Sequence, residues 1–487
     1  MLKGMYGGIK EKGANKEIMG RVYSVSSGLY ELSGKIQDYY RYADYDELND
    51  YLSLFKILSY KEDNKKLISK ELYQCFTYDI LSRTDSLGKA VANALYGKEL
   101  SCSITMLEAY ARCAYSHFLK YGLSLREREL FSFEASDMGT IFHETLKNYA
   151  LLLNENNYTW FDISREEQKR LVEESIVRCI NQGEYDVIYG SFRTRYMINR
   201  IRRITQRTVD TLTAQLRKGS FIPYDFEFSF YSTNDYDSLN ISLSEEEKLH
   251  LLGRIDRVDV CQDERNIYVK VIDYKSGNKS FDLAAIYSGI DLQLVVYLNA
   301  AMENVYYTMK QDGSDKAVIP AGILYYHIDD PVVETGANAD EAEINSEIAK
   351  LLKMNGLVNS DASVYRLMDS DFETSSEVIP VKLKKDGDFK SGSSVASTDD
   401  FKIMSKYVNK KIKDMGNSIL DGKIDINPVA GKNAMNNVCT FCQYSNICGY
   451  RGEGFETDAI EEGIEADASK LGYDEIFGLM RNAIDNK

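Results

Sequence analysis

The sequence predicts an α/β protein in which a run of β-strands is enclosed by helices, with a helical segment ahead of it. Three observations carry this expectation. Three segments between residues 221 and 276 alternate apolar and polar residues at strand period, with many β-branched side chains. Apolar residues recur at helical spacing on both sides of that run. The chain also has only 5 prolines in 487 residues, which suits a helix-rich protein.

The elements follow in order. SSGLYELSGKIQDYYRY and YDELNDYLSLFKILSY carry apolar residues at helical spacing, so residues 1–97 form a helical segment without a chemical motif. A new unit starts near 98. SITMLEAYARCAYSHFLKYG places Thr105 and Glu108 at capping-box spacing and reads as a helix ending at Gly122. SDMGTIFHETLKNYALLLN reads as a second helix, and residues 164–218 are helical and rich in arginine. FIPYDFEFSFYS, LHLLGRIDRVDV and NIYVKVIDYKS are strands, the last two joined as a hairpin by CQDERN. The helix SGIDLQLVVYLNAAMENV follows, then the strand AGILYYHIDDP. KKDGDFKSGSSVASTDD is a polar loop, and a helix runs from it to about residue 420. This unit extends to 452. Residues 453–487 comprise an acidic linker and the amphipathic helix SKLGYDEIFGLMRNAI. No internal repeat is visible.

Length and charge bound the function. At 487 residues the chain exceeds one ordinary core, so two or three domains are expected. A formal net charge of −16 argues against a protein coated in nucleic acid. It leaves room for a local basic channel, because salt screens charge over about 8 Å. No apolar run reaches the roughly eighteen residues of a membrane span. The start, MLKGMYGGIKEKGANKE, lacks the apolar stretch of a signal peptide. A cytoplasmic protein with no membrane partner is expected. No G-x-x-x-x-G-K-[ST] occurs, which excludes nucleotide binding by a P-loop.

The chemistry concentrates in residues 253–277, GRIDRVDVCQDERNIYVKVIDYKSG. Asp273 and Lys275, two apart on a strand, project to the same face. Asp256, on the neighbouring strand of the hairpin, can reach the same spot. Two carboxylates and the Tyr274 carbonyl suit a hard cation such as Mg²⁺. Lys275 could then orient a water beside it. A bare D-x-K is usually two solvated residues at a hairpin end. Here it comes with G-x-I-D-x-V-D before it, with Gln293 and Tyr297 one helical turn apart after it, and with His143 on a preceding helix.

This set resembles the RecB-type branch of the PD-(D/E)xK nucleases over roughly residues 101–450. The resemblance implies a restriction-endonuclease-like core, a central mixed β-sheet flanked by helices, and Mg²⁺- or Mn²⁺-dependent hydrolysis of DNA. It matches Asp256, Asp273 and Lys275 to the metal-binding acids and lysine. It matches His143 to a further metal ligand, and Gln293 and Tyr297 to residues that hold DNA or the site. Glu227 stands where many members have a strand glutamate, and its role is left open.

Three of the eight cysteines fall within ten residues, as C-x2-C-x5-C at Cys439, Cys442 and Cys448. Three thiolates are one short of a closed site, and Cys113 is the best candidate for the fourth. Four thiolates suit [4Fe–4S] or zinc. The single C-x2-C pair favours iron. Cys75, Cys102, Cys179 and Cys261 fit no ligand spacing. One cysteine before the nuclease motifs and C-x2-C-x5-C after them resembles the iron–sulfur staple of the AddB family of bacterial AddAB helicase–nucleases. A similar staple occurs in small CRISPR-associated nucleases. The resemblance implies a [4Fe–4S] cluster on Cys113, Cys439, Cys442 and Cys448. It also implies an AddA-like helicase–nuclease partner in a heterodimer that processes double-strand breaks for recombinational repair, with this chain cutting the 5′-terminated strand. The chain is too short for that family's helicase-like region, so residues 1–97 are expected to be its last remnant. A stand-alone iron–sulfur exonuclease and a non-catalytic DNA-end scaffold are the alternatives.

SFRTRYMINRIRRITQRTVD adds a basic stripe. On a helix Arg193, Arg200, Arg203 and Arg207 fall near one face, and guanidinium groups bind phosphates in bidentate fashion. The stripe is a candidate guide for single-stranded DNA; ion pairs with the acidic surface would serve equally.

Overall fold

The computed structural model describes residues 24–42, 86–126, 135–182, 192–231, 236–334, 340–429, 438–448 and 471–485, with Lys56, Tyr60 and Lys65. The expected helix over 45–60 lies almost wholly outside the described residues, as do Cys75 and the acidic stretch 452–470. Among the described residues the strands are β1 (Glu99–Ser103), β2 (Ile222–Phe230), β3 (Asn240–Ser242), β4 (Lys248–Gln262), β5 (Asn266–Lys275), β6 (Ala317–His327), β7 (Asn355–Asn359) and β8 (Val395–Ala396). They form one mixed sheet of eight strands, as the α/β reading implies.

The long strand β4 is its spine. The first part of β4 pairs with β1 in parallel and with β3 antiparallel, and the rest pairs antiparallel with β2 and β5. Gly253 marks the changeover. The Phe230 ring lies where a Cβ would sit, 2.3 Å away, so only glycine admits it. β5 and β6 are parallel, β6 and β7 antiparallel, and β7 and β8 parallel.

Both faces of the central strands are buried. Ile267, Val269 and Val271 enter one core; Tyr268, Ile272 and Tyr274 enter the other. The first core is covered by α3 (Ile104–Arg112), α9 (Gln293–Gln311), α12 (Thr398–Leu420) and α14 (Tyr473–Asp485). The second is covered by α5 (Ala135–Glu155), α6 (Arg165–Gln182) and α7 (Phe192–Arg217). Helices α1 (Val25–Tyr42) and α2 (Lys89–Tyr96) precede them, and α2 packs on α12. The last helix, α14, packs on α12 and on α8 (Leu283–Ser288). Among the described residues no helix is long and apolar enough to cross a membrane.

Several expectations are corrected. The helix read over 103–122 is capped by Ser103, whose side chain accepts the Met106 N–H, and not by Thr105 and Glu108. It also breaks at Cys113, which is extended (φ −170°, ψ 115°). A short helix, α4 (Ala114–His117), and a π-type turn over 118–122 complete the segment. The helix read over 288–305 begins only at Gln293, as α9; Ser288 is the last residue of the separate helix α8. Gly289 ends α8 at φ 84°, in the left-handed region. The polar segment before 400 is ordered by bridges between Ser375 and Lys382 and between Leu383 and Phe389, and it contributes β8. The short strands β1, β3, β7 and β8 were not among the expected elements. Helices α10 (Glu341–Leu351) and α11 (Ala362–Tyr365) fill the remaining insert, and α13 (Ser445–Cys448) closes the cysteine segment.

Candidate active site

β4 and β5 pair as Arg257↔Ile272 and Val258↔Val271. One step further in this register Asp256 faces Asp273. There the ladder opens: Asp256 Oδ2 accepts the Tyr274 N–H at 2.7 Å. Its other oxygen, Oδ1, lies 3.0 Å from His143 Nδ1 on α5. His143 thus arrives from the helix layer, as its spacing within GTIFHETL suggested.

Glu227 comes to the same point. Phe226 and Phe228 on β2 pair with Arg257 and Ile255, so Glu227 faces Asp256 across the ladder. Its φ is +56°, a left-handed value for a residue with a side chain. Such a conformation costs on the order of 1–3 kcal/mol and clusters at functional sites. Glu227 Oε1 lies 3.9 Å from His143 Nδ1, and Oε2 is held by Arg254 Nε at 2.6 Å. Ligand atoms of His143, Glu227 and Asp256 all lie within 4.8 Å of one another. The role left open for Glu227 in the sequence therefore has a definite place. Alternation put it on a strand, but only the backbone kink turns it inward.

Asp273 is 2% exposed and forms an ion pair with Lys275. Its Oδ2 makes no aligned hydrogen bond. Lys275 Nζ also donates to Gln293 Oε1 at 3.1 Å, and Gln293 Nε2 donates to Tyr297 OH at 2.9 Å. The structure thus brings Asp256, Asp273, Lys275, Gln293, Tyr297 and His143 into one connected set.

The charge state of this set is unusual. Burial, then the charge of Asp256, pushes the Asp273 carboxyl up to about 6. The same two causes push Glu227 up to about 7. For His143, burial favours the neutral ring, but the Asp256 hydrogen bond and the charges of Asp256, Glu227 and Asp273 outweigh it and raise its pKa. Three carboxylates face one lysine and one arginine, so with the imidazole neutral the set is left one positive charge short. Carboxylate oxygens and one imidazole nitrogen fit a hard divalent cation.

The segment around Cys113 is hydrogen-bonded to residues before and within the C-x2-C-x5-C turn. Cys113 is buried at the break after α3. On either side of it, Arg112 O accepts the Val429 N–H (3.0 Å), Ala114 N donates to Asn427 Oδ1 (2.9 Å) and Tyr115 N donates to Asp425 O (3.1 Å). The turn that carries Cys439, Cys442 and Cys448 is anchored by Tyr444 OH donating to Leu125 O at 2.8 Å. Burial raises the Cys113 pKa, and the charge of Cys448 adds to this. No disulfide joins the described cysteines. Cys113 and the C-x2-C-x5-C turn thus lie toward one end of the unit, with Cys448 near enough for its charge to act on Cys113. Cys102, Cys179 and Cys261 are buried elsewhere.

The arginine stripe divides. Arg193 lies on α7, Arg200 is exposed, and Arg203 and Arg207 share the carboxylate of Asp330. Arg202 pairs with Glu173. α6 and α7 wall a groove that Arg165, Lys169, Arg217 and Lys218 also line.

Residues 101–449 match the sequence profile of the PD-(D/E)XK nuclease superfamily. The chain belongs to that superfamily. The PD-(D/E)XK match runs from β1 to the C-x2-C-x5-C turn and so contains every residue of the connected set and all four cysteines named above. Among curated proteins the chain is similar to one of the subunits of the ATP-dependent helicase/deoxyribonuclease in Bacillus thuringiensis (strain Al Hakam), Bacillus cereus (strain AH187) and Bacillus anthracis. Each is 38% identical over 392 residues, which is 80% of this chain and 32% of the relative. The chain thus spans about a third of the length of these relatives.

Proposed function

We propose that this chain is a metal-dependent deoxyribonuclease, the nuclease part of a helicase–nuclease that processes DNA ends. The observation that carries this reading is the convergence of His143, Glu227 and Asp256 within 4.8 Å of one another, with Asp273 and Lys275 on the adjoining strand. The imidazole and the three carboxylates would hold Mg²⁺ or Mn²⁺. When bound, the cation would polarise the phosphodiester and acidify a water.

The chain's own residues do the rest. Tyr274 N–H fixes the Asp256 carboxylate. Gln293 Oε1 and Asp273 hold the Lys275 ammonium, and Tyr297 OH fixes the Gln293 amide. Lys275 donates to the attacking water and stabilises the negative charge that grows on its oxygen. Arg254 holds Glu227 and offers a cation to a neighbouring phosphate.

The substrate strand is placed along α7. Arg203 and Arg207 share one carboxylate, so positive charge is left over for phosphate. Asp330 follows β6, whose His327 pairs with Lys275 in the sheet register. The Arg203 and Arg207 end of the groove is therefore the end nearer the site. Likeness to one subunit of a helicase/deoxyribonuclease supports an AddA-like helicase–nuclease partner in a heterodimer. In that assembly this chain would cut the 5′-terminated strand. Cys113, Cys439, Cys442 and Cys448 would hold a [4Fe–4S] cluster that ties α3 to the end of the unit, closing a loop of more than 300 residues. Acid-labile sulfide and absorbance near 400 nm, both lost in Cys113→Ser, test the cluster; zinc in their place would replace it.

End-labelled single-stranded DNA with Mg²⁺ or Mn²⁺ tests the nuclease. The parent is expected to cut and Asp273→Ala is not. A parent that binds DNA yet stays inert, alone and with an AddA-type partner, would make this module a scaffold.

A further inference from the structure

Glu108 lies on α3, whose last turn leads into Cys113. Its carboxylate serves a helix far away in sequence. Oε1 accepts the N–H of Leu292 at 2.8 Å and of Gln293 at 3.3 Å, across 184 and 185 residues of chain. Leu292 is the N-cap of α9 and Gln293 its first residue. N–H groups at a helix start have no partner within the helix, and the helix dipole there favours a negative group. Arg112 reinforces the junction: its Nη2 donates to Ile290 O at 3.2 Å and lies 3.9 Å from Glu108 Oε2.

The residue so held is Gln293, whose side chain carries Lys275 on one amide atom and Tyr297 on the other. Glu108 itself is 6% exposed. Burial, then the charge of neighbouring Asp291, disfavours its ionised form, while the Leu292 N–H, Lys279 and Arg112 counter this. Burying a carboxylate is costly, and leucine would fill the space without that cost. Packing alone gives no reason for an acid here.

We propose that Glu108 is a positioning residue for the hydrolytic step. It sets the start of α9 so that Gln293 holds the Lys275 ammonium at the attacking water. The inference rests on the nuclease reading for its purpose, but its geometry can be tested apart from cutting.

The first readout is the acetylation rate of Lys275 under limiting acetic anhydride, measured by mass spectrometry against exposed Lys248 in the same molecule. Glu108→Leu frees the α9 start, so Lys275 labels several-fold faster, approaching the rate in Gln293→Ala. Glu108→Gln keeps a carbonyl acceptor and labels like the parent. The second readout is turnover on single-stranded DNA. Glu108→Leu lowers kcat by roughly ten- to a hundredfold with KM unchanged. Adding Gln293→Ala then costs nothing more, because both act through one contact. Parental labelling of Lys275 in folded Glu108→Leu overturns the proposal, as does a double variant whose losses multiply. Should Glu108→Leu not fold, Glu108→Asp, one methylene short, is expected to label faster than the parent, and parental labelling there overturns it as well. A parent that cuts no DNA sinks the nuclease reading while the labelling still decides Glu108.

Discussion

Asp259 and Asp273 sit on adjoining strands of one hairpin, both almost without solvent contact, and their surroundings are opposite. Arg257 Nε and Nη2 donate to the two oxygens of Asp259 at 2.6 and 2.9 Å, and Lys270 Nζ lies 3.0 Å from Oδ2. Aromatic rings back both cations: Trp160 and Phe226 lie 5.5 and 5.8 Å from the guanidinium, and Phe221 lies 4.7 Å from the ammonium. Burial favours the neutral acid, but Arg257 and Lys270 outweigh it and hold the Asp259 carboxyl below the usual range. At Asp273 burial and the charge of Asp256 outweigh Lys275 and His143, and its carboxyl is held high. One cluster carries more cation than it needs, and the other too little. The first is closed and structural. The second is completed, on the proposed reading, only by an ion from outside.

The largest effect that can break this comparison is on catalysis. Asp273→Ala is expected to slow cutting more than about a hundredfold, while calorimetry shows a melting temperature equal to or above the parent's. A variant that still cuts, or that unfolds, would erase the distinction between the clusters.

Asp259→Ala should do the reverse. It leaves two buried cations without a counter-charge, and denaturant titration is expected to show a loss of about 3–5 kcal/mol. Any molecules that stay folded should keep their cleavage rate.

Next comes pH. Asp273 and Glu227 titrate near 6 and 7 in the fold without metal, against about 4 in an unfolded chain. Between these values the folded state holds the extra protons. Their contribution to stability is full below about pH 4 and is lost as pH rises through the folded values. In chelator, stability should therefore fall between about pH 4.5 and 7.5 by roughly 1–3 kcal/mol more than in the double variant Asp273→Asn, Glu227→Gln. Saturating Mg²⁺ should recover the difference in the parent alone. Asp259 has the opposite sign: its stability is present above its unfolded pKa and is lost in acid.

The smallest effect is the sharpest check on the charge count. Lys270→Met leaves the bidentate Arg257–Asp259 pair intact and neutral, so stability should change by no more than about 1 kcal/mol. A loss as large as that of Asp259→Ala would show that both cations are required.

Much of this arrangement was legible in the sequence, because its signals are local. Alternation gave β2, β4 and β5, AGILYYHIDDP read as a further strand, and the CQDERN turn joined the hairpin. The i, i+2 rule put Asp273 and Lys275 on one face, and the i, i+4 rule joined Gln293 to Tyr297. Glu227 was only half legible, since a single left-handed backbone angle has no period. Nothing marked Arg257 and Lys270 as buried, because a strand buried on both faces shows the same letters as one half in water. Glu108 read as a local cap, three residues from Thr105, and turned out to cap a helix 184 residues away.

By itself, then, the sequence determined the four long strands, which carboxylates and lysine share a strand end, and which thiols are spaced to gather. Those are consequences of backbone periodicity over a few residues. Only the tertiary structure decided which charges are matched and which are left short, because that depends on side chains brought together from distant segments in a medium that screens poorly. Asp259 is ion-paired there with two cations, and Asp273 with one, beside a second carboxylate.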